Sequence, residues 1–202
     1  MFIERIPALV RLFYKGVLWR MDKKDKVIYL TIDDGPTAEN TLWILDLLNR
    51  YGIKATFFCI GRNVEANPDL YAEIIERGHS VGLHGYDHKR GLYKNSEIFF
   101  KDIERGAEFI KSTLFRPPHG RITLSQAKEL GKRYRIVLWD VITRDYNPKL
   151  SGEKVFNIAK KYGRNGSIVV FHDSVKAQKN MRYALPKAIE YWLSQNYKFN
   201  KL

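Results

Sequence analysis

The chain has a single cysteine, Cys59, among its 202 residues. One thiol closes no internal disulfide, so a cross-linked scaffold is excluded. Cys59 lies in the run Ala55-Thr56-Phe57-Phe58-Cys59-Ile60, where a buried, unreactive thiol is expected. Long apolar runs are also missing. No stretch approaches the ~20 apolar residues of a membrane-spanning helix. Arg5, Arg11 and Lys15 break up the start of the chain, and no small-residue cleavage site follows. A secretory signal is therefore not expected, which points to a cytoplasmic chain or one peripheral to a membrane. Acidic residues are scarce: 22 Asp and Glu stand against 35 Lys and Arg, a formal net charge of +13. That balance favours polyanions such as an anionic membrane face, acidic glycans or nucleic acid. No helix-turn-helix, zinc-finger or single-strand-binding pattern accompanies the charge, which argues against nucleic acid as a partner.

No linker or low-complexity stretch divides the chain, and its length suits one domain. Residues 1–26 differ in character from 27–202. Ile6, Leu9, Val10, Phe13, Val17 and Leu18 can form one apolar helical face, with Arg11 and Lys15 opposite. Such a basic amphipathic helix packs on its own domain or lies on an anionic membrane through residues 1–20, and packing is the expectation.

From residue 27 onward, apolar strands alternate with helical patterns. The strands are read at 27–30, 55–60, 80–83, 113–115, 136–139, 168–171 and 197–199. Helices are expected to stop at Gly52, Gly78, Gly131 and Gly163, where glycine suits a left-handed cap. Pro68-Asp69 and Ser151 read as helix starts, and 183–195 as the last helix. This alternation implies an α/β fold with parallel strands, a barrel or a doubly wound sheet. In such folds the chemistry sits at the C-terminal strand ends.

Those ends carry a chemical set. Thr31-Ile32-Asp33-Asp34-Gly35-Pro36 closes the first strand with two adjacent carboxylates. Two like charges side by side resist joint ionisation unless a cation is near. The pair therefore suggests one carboxylate on a metal and one free to carry a proton. Leu83-His84-Gly85-Tyr86-Asp87-His88 offers two imidazoles four residues apart, which share a face if the segment is a helical turn. With Asp34 they make a mixed nitrogen and oxygen donor set of the kind seen in catalytic zinc sites. Phe115-Arg116-Pro117-Pro118-His119-Gly120 is a stiff loop able to aim Arg116 at a carboxylate and a main-chain N–H at an oxyanion. Ile168-Val169-Val170-Phe171-His172-Asp173 ends in a candidate general acid, His172, with Asp145 or Asp173 as its carboxylate partner. His79 begins a strand and is read as structural.

Taken in order, these segments resemble the polysaccharide deacetylases, the NodB-homology or carbohydrate esterase family 4. The resemblance runs from about residue 27 to residue 202. It departs from the family pattern at Ile32 (usually Phe), Gly85 (Ser or Thr), His119 (Tyr), Ile142 (an acid), Tyr146 (Trp) and Val170 (Leu). It implies an irregular (β/α)7 barrel with Asp34, His84 and His88 around one divalent ion, Zn2+ or else Co2+, Ni2+ or Mn2+. It further implies Asp33 as base, held by Arg116, and His172 as acid, with Asp145 in the fourth motif. The His119 N–H would face the oxyanion, and Tyr146 and Val170 would border the acetyl pocket. The implied activity is removal of N-acetyl groups from an amino-sugar glycan by a monomer. A deformylase acting on a lipid-linked sugar and a catalytically silent glycan-binding module are the alternatives.

Overall fold

The computed structural model describes residue 4, residues 7–91 and residues 96–202, with backbone alone at 8–10. Ile6 and the side chains of Leu9 and Val10, assigned above to the N-terminal apolar face, lie outside the described residues. The strands are β1 Val27–Asp33, β2 Thr56–Cys59, β3 Ser80–Leu83, β4 Leu114–Phe115, β5 Arg135–Ile136, β6 Val141–Ile142, β7 Ser167–His172 and β8 Lys198–Asn200. They form one sheet in the order β5-β4-β3-β2-β1-β7-β6, with β8 on β1. Every ladder is parallel. β1 is the centre. Its upper half pairs with β2 over Thr31–Asp33, and its lower half pairs with β8 over Val27–Tyr29.

The helices are α1 Ala8–Phe13, α2 Thr41–Arg50, α3 Gly61–Ala66, α4 Pro68–Glu76, α5 Ser96–Phe109, α6 Leu124–Leu130, α7 Gly152–Tyr162 and α8 Gln178–Ser194. Side chains alternate across a strand, so β1 has two faces. Ile28, Leu30 and Ile32 join a core with Ile44 and Leu48 of α2 and Leu185 and Ile189 of α8. On the other face Tyr29 packs on a small inner cluster of Phe58, Val137 and Ile168. The architecture is the expected (β/α)7 type: a curled parallel sheet with helices outside.

Four local expectations need correction. The helix expected to run through Val17 and Leu18 ends at Phe13. Leu18 bridges Val137, and Arg20 bridges Ser167. The N-terminal segment thus fills the seam between the β5 and β7 sides of the sheet, a non-local pairing that helical periodicity cannot reveal. The run 136–139 is not one strand: β5 ends at Ile136, the Val137 N–H still donates to the Phe115 carbonyl of β4, and Leu138 turns its N–H to the Leu18 carbonyl. Gly52 and Gly78 have positive φ, but Gly131 and Gly163 have φ of −63° and cap without the left-handed turn. α8 begins at Gln178 and carries Pro186 inside it.

The N-terminal segment is tied down by polar contacts too. Asp140 is fully buried and takes Arg11 at 2.8 Å, Arg164 at 2.8 and 2.9 Å, and the Ser167 hydroxyl at 2.8 Å. The Tyr14 hydroxyl donates to the Ile122 carbonyl, and Trp19 is buried against Leu138, Trp139 and Val170.

Candidate active site

β1 delivers Asp33 and Asp34 to the top of the sheet. Asp33 keeps strand geometry. Asp34 turns away at φ 80°, a left-handed conformation that aspartate tolerates better than most residues. Asn63 of α3 holds that turn by donating to the Asp34 carbonyl at 2.7 Å. Gly35 is required next, since a Cβ there would collide with the Asp173 carboxylate. Asp173 accepts from Thr37 and Thr41 at 2.6 Å and braces the loop. Burial pushes its carboxyl up to about 7.

Arg116 leaves β4 and lies fully buried across the Phe58 ring. It donates to Asp33 Oδ1 at 2.5 Å, to the Thr31 hydroxyl at 2.9 Å, and to the Val137 and Leu138 carbonyls. A guanidinium so fully engaged is a fixed fork, and it locks the Asp33 carboxylate in one orientation. Burial pushes the Asp33 carboxyl up, while Arg116 and His172 pull it down.

The histidine pair comes together, but not on a helix. Residues 84–91 form an irregular loop after β3, with φ of 75° at Gly85 and 61° at His88. That loop, rather than helical spacing, brings the two Nε2 atoms to 3.2 Å. His84 Nδ1 lies 2.7 Å from the Arg116 carbonyl. A carbonyl only accepts, so Nδ1 carries the proton and Nε2 has a bare lone pair. Burial holds His84 well below the usual imidazole range, with the neighbouring His88 adding to it, and burial lowers His88 also. Asp34 Oδ1 faces both rings, 3.4 Å from His88 Nε2 and 3.8 Å from His84 Nε2. This oxygen is buried and has no hydrogen-bond partner among the described residues. Uncompensated buried carboxylate oxygens are costly. A divalent cation among the three donor atoms, which all lie within 4.8 Å of one another, resolves that cost, so the donor set fits a metal.

On the far side of Asp33, His172 ends β7. Its Nδ1 is 2.7 Å from Asp145 Oδ1, and its main-chain N–H donates to Asp145 Oδ2 at 2.7 Å. The partner is therefore Asp145. Burial alone would lower His172, but the Asp145 charge and hydrogen bond outweigh it, and the imidazole is raised to about 9. Nδ1 is committed to Asp145, which leaves Nε2 to act. The Tyr146 ring stands edge-on to His172 at 4.8 Å.

Asp33, Asp34, His84, His88, His119, Tyr146 and His172 all line one cavity of about 700 Å³. Arg116 and Asp145 stand behind that wall, with no exposed surface. Val170 does not border the cavity. It is fully buried against Trp19, Leu138 and Trp139, because β7 is covered on both faces. His119 sits at φ 58° in the turn Pro118–Gly120, its ring 4.2 Å from that of His88. His79 accepts from the Ala55 N–H at the opposite end of the sheet. A second, open groove of about 940 Å³ near Ser80, Leu114 and Arg135 is lined by no acidic side chain or histidine among the described residues.

One residue of the site was invisible in the sequence. Asp102 of α5 reaches under the histidine loop and accepts from the N–H groups of Tyr86 at 3.1 Å, Asp87 at 2.7 Å and Lys89 at 3.3 Å. A Cβ at Gly85 would collide with this carboxylate. Glycine at 85 and aspartate at 102 are thus one device that braces the loop. The Trp139 and Asn63 side chains at the cavity wall were also not singled out. Trp139 lies in an apolar run that reads as core, and Asn63 inside a short helix.

A family model described as polysaccharide deacetylase matches residues 20–135. A peptidoglycan-N-acetylglucosamine deacetylase of Bacillus cereus is 34% identical over 192 residues, covering 91% of this chain and 89% of the relative. The deacetylase PgdA of Listeria monocytogenes is 32% identical over 186 residues, covering 88% of this chain but only 38% of its own length. A crystal structure of a peptidoglycan N-acetylglucosamine deacetylase superposes with a TM-score of 0.88 at 28% identity, covering 98% of this chain and 95% of the other. With a match that runs along most of both chains and a fold that agrees throughout, this chain belongs to the polysaccharide deacetylase family.

Proposed function

We propose that this chain removes N-acetyl groups from amino sugars of a peptidoglycan-type glycan, with one divalent metal ion, zinc in first place, at Asp34, His84 and His88. The observation that carries the reading is the buried Asp34 Oδ1, without a hydrogen-bond partner among the described residues, facing the Nε2 atoms of His84 and His88. When bound, such an ion supplies Lewis acidity for the amide carbonyl and the attacking water. The remaining roles belong to the chain. Asp33, oriented by Arg116, takes the proton of the attacking water. The His119 N–H donates to the oxyanion that develops on the amide carbonyl. His172, held protonated by Asp145, gives its proton to the leaving sugar amine, which is too basic to depart as an anion. Tyr146 and Trp139 supply aromatic walls for the sugar and its acetyl group.

The fold alone does not secure activity. A CE4 family pseudoenzyme from Bacillus anthracis has a TM-score of 0.81 to this chain at 23% identity. The acid, the base and their two buried partners support catalysis here, since binding a glycan needs none of them. The test is acetate release from peptidoglycan and from chitooligosaccharides by metal-loaded protein, with formate measured in parallel on N-formyl sugars. Acetate release that disappears in Asp33→Asn while metal is retained supports the reading. Formate release without acetate would replace it with deformylation.

A further inference from the structure

Apart from Arg116, the lysines and arginines of the chain have no role in the chemistry above, yet some of them gather at the site. Arg90, Arg121 and Lys176 all line the active-site cavity. They come from three separate loops, after β3, β4 and β7 respectively. All three are exposed, and among the described residues none has an ion-pair partner. Arg62 adds a weakly paired charge, 3.6 Å from Asp87 and 58% exposed. Among the described residues the acids on the cavity wall are Asp33 and Asp34, and both are committed, one to Arg116 and one to the metal donor set. The cavity therefore has a floor built for a metal and a rim of uncompensated cations. Cations converging on a cleft focus their field there and favour an anionic ligand.

We propose that this rim binds a carboxylate carried by the glycan beside the sugar being deacetylated, so that the site selects an anionic N-acetylated strand over a neutral one. The inference rests on the deacetylase reading and adds its substrate class. A neutral N-acetylglucosamine polymer presents hydroxyls and amides only. It gains nothing from three unpaired cations, whereas a strand bearing lactyl or peptide carboxylates gains a charge-assisted contact at each.

The test separates binding from turnover. The Asp33→Asn variant, loaded with zinc, is titrated with three ligands of equal sugar length: chitotetraose, a peptide-free N-acetylglucosamine–N-acetylmuramic acid tetrasaccharide, and the same tetrasaccharide with its peptides. A carboxylated ligand should bind roughly 10-fold tighter than chitotetraose at low salt, as expected for a few exposed ion pairs acting together. The advantage should shrink as salt rises. It should also collapse in the surface variant Arg90→Gln/Arg121→Gln/Lys176→Gln on the same background, once an unchanged melting temperature shows the fold intact. A gain with the peptide-free strand places the carboxylate on the sugar, and a gain only with the peptides places it on the stem. Equal binding of neutral and carboxylated ligands, or a preference that survives the triple variant, overturns the inference. Wild-type acetate release is read separately. Selective binding without acetate from any ligand would sink the deacetylase reading and leave the rim standing. Equal kcat/KM on neutral and carboxylated strands would do the reverse.

Discussion

Replacing Asp102 by alanine should loosen the metal site without touching a metal ligand. The wild-type carboxylate accepts from the N–H groups of Tyr86, Asp87 and Lys89. Tyr86 N–H keeps the Asp102 main-chain carbonyl as an alternative acceptor at 3.1 Å, so the Asp87 and Lys89 donors bear the loss. Hydrogen bonds to a charged group are worth about 1.5–3 kcal/mol each. Two such bonds total about 3–6 kcal/mol, and water that reaches this loop lowers that sum. His84 stays anchored through Arg116, but His88, at φ 61° on the unbraced side, loses its orientation. Metal binding must then supply the ordering that Asp102 supplied. Loss of an outer partner of this kind typically weakens metal affinity about 10–100-fold. That corresponds to about 1.4–2.8 kcal/mol, within the energy the carboxylate provides. The assay is competition of zinc between apo-protein and a chromophoric chelator, with thermal unfolding of the apo form as companion. Asp102→Ala should melt earlier and bind zinc 10–100-fold more weakly, and Asp102→Asn, which keeps one acceptor, should fall between. A folded Asp102→Ala variant with wild-type zinc affinity would show that the loop is held by something else.

Two further outcomes follow from the buried charges. His172 acts as an acid with its imidazole raised to about 9, so the activity should fall as pH rises through that value. In Asp145→Asn the alkaline limb should move down by about 1–3 pH units, and an unmoved limb would assign it to another group. Asp140 is held well below the usual carboxylate range: burial pushes it up, but hydrogen bonds from Arg164, Arg11 and Ser167 prevail. A depressed folded value means the stabilisation is present above the unfolded value near 4 and is lost as pH falls below it. Asp140→Asn should therefore cost about 3–5 kcal/mol at neutral pH, with the gap to wild type closing in acid. Chemical denaturation at neutral and acid pH measures both, and a constant gap would contradict the assignment.

The sequence carried the strand-end chemistry well because each piece was local. Val27–Asp33 is a β-branched and apolar run closed by an acid pair, and strand identity and site position follow from it together. The histidine pair was visible from its spacing, although the loop that joins the rings is not the helical turn that spacing suggests. What failed was non-local. Asp102 lies in the charged run Lys101-Asp102-Ile103-Glu104-Arg105, where nothing marks one acid as buried beneath a loop 13–16 residues away. Val170 seemed to face the acetyl pocket because the family pattern says nothing of Trp19, which covers it in this chain. Leu18 combined a place in the amphipathic pattern with a role in the seam between two strands, and only the tertiary pairing distinguishes those fates.

The proposed chemistry requires the metal at Asp34, His84 and His88. The most direct measurement is metal content by mass spectrometry alongside acetate release, for wild type and His88→Ala, before and after chelation and zinc return. Wild type should hold one ion per chain, lose acetate release on chelation and recover it with zinc, while His88→Ala should neither retain the ion nor recover. Chelated, metal-free protein that still releases acetate at the full rate would contradict the account.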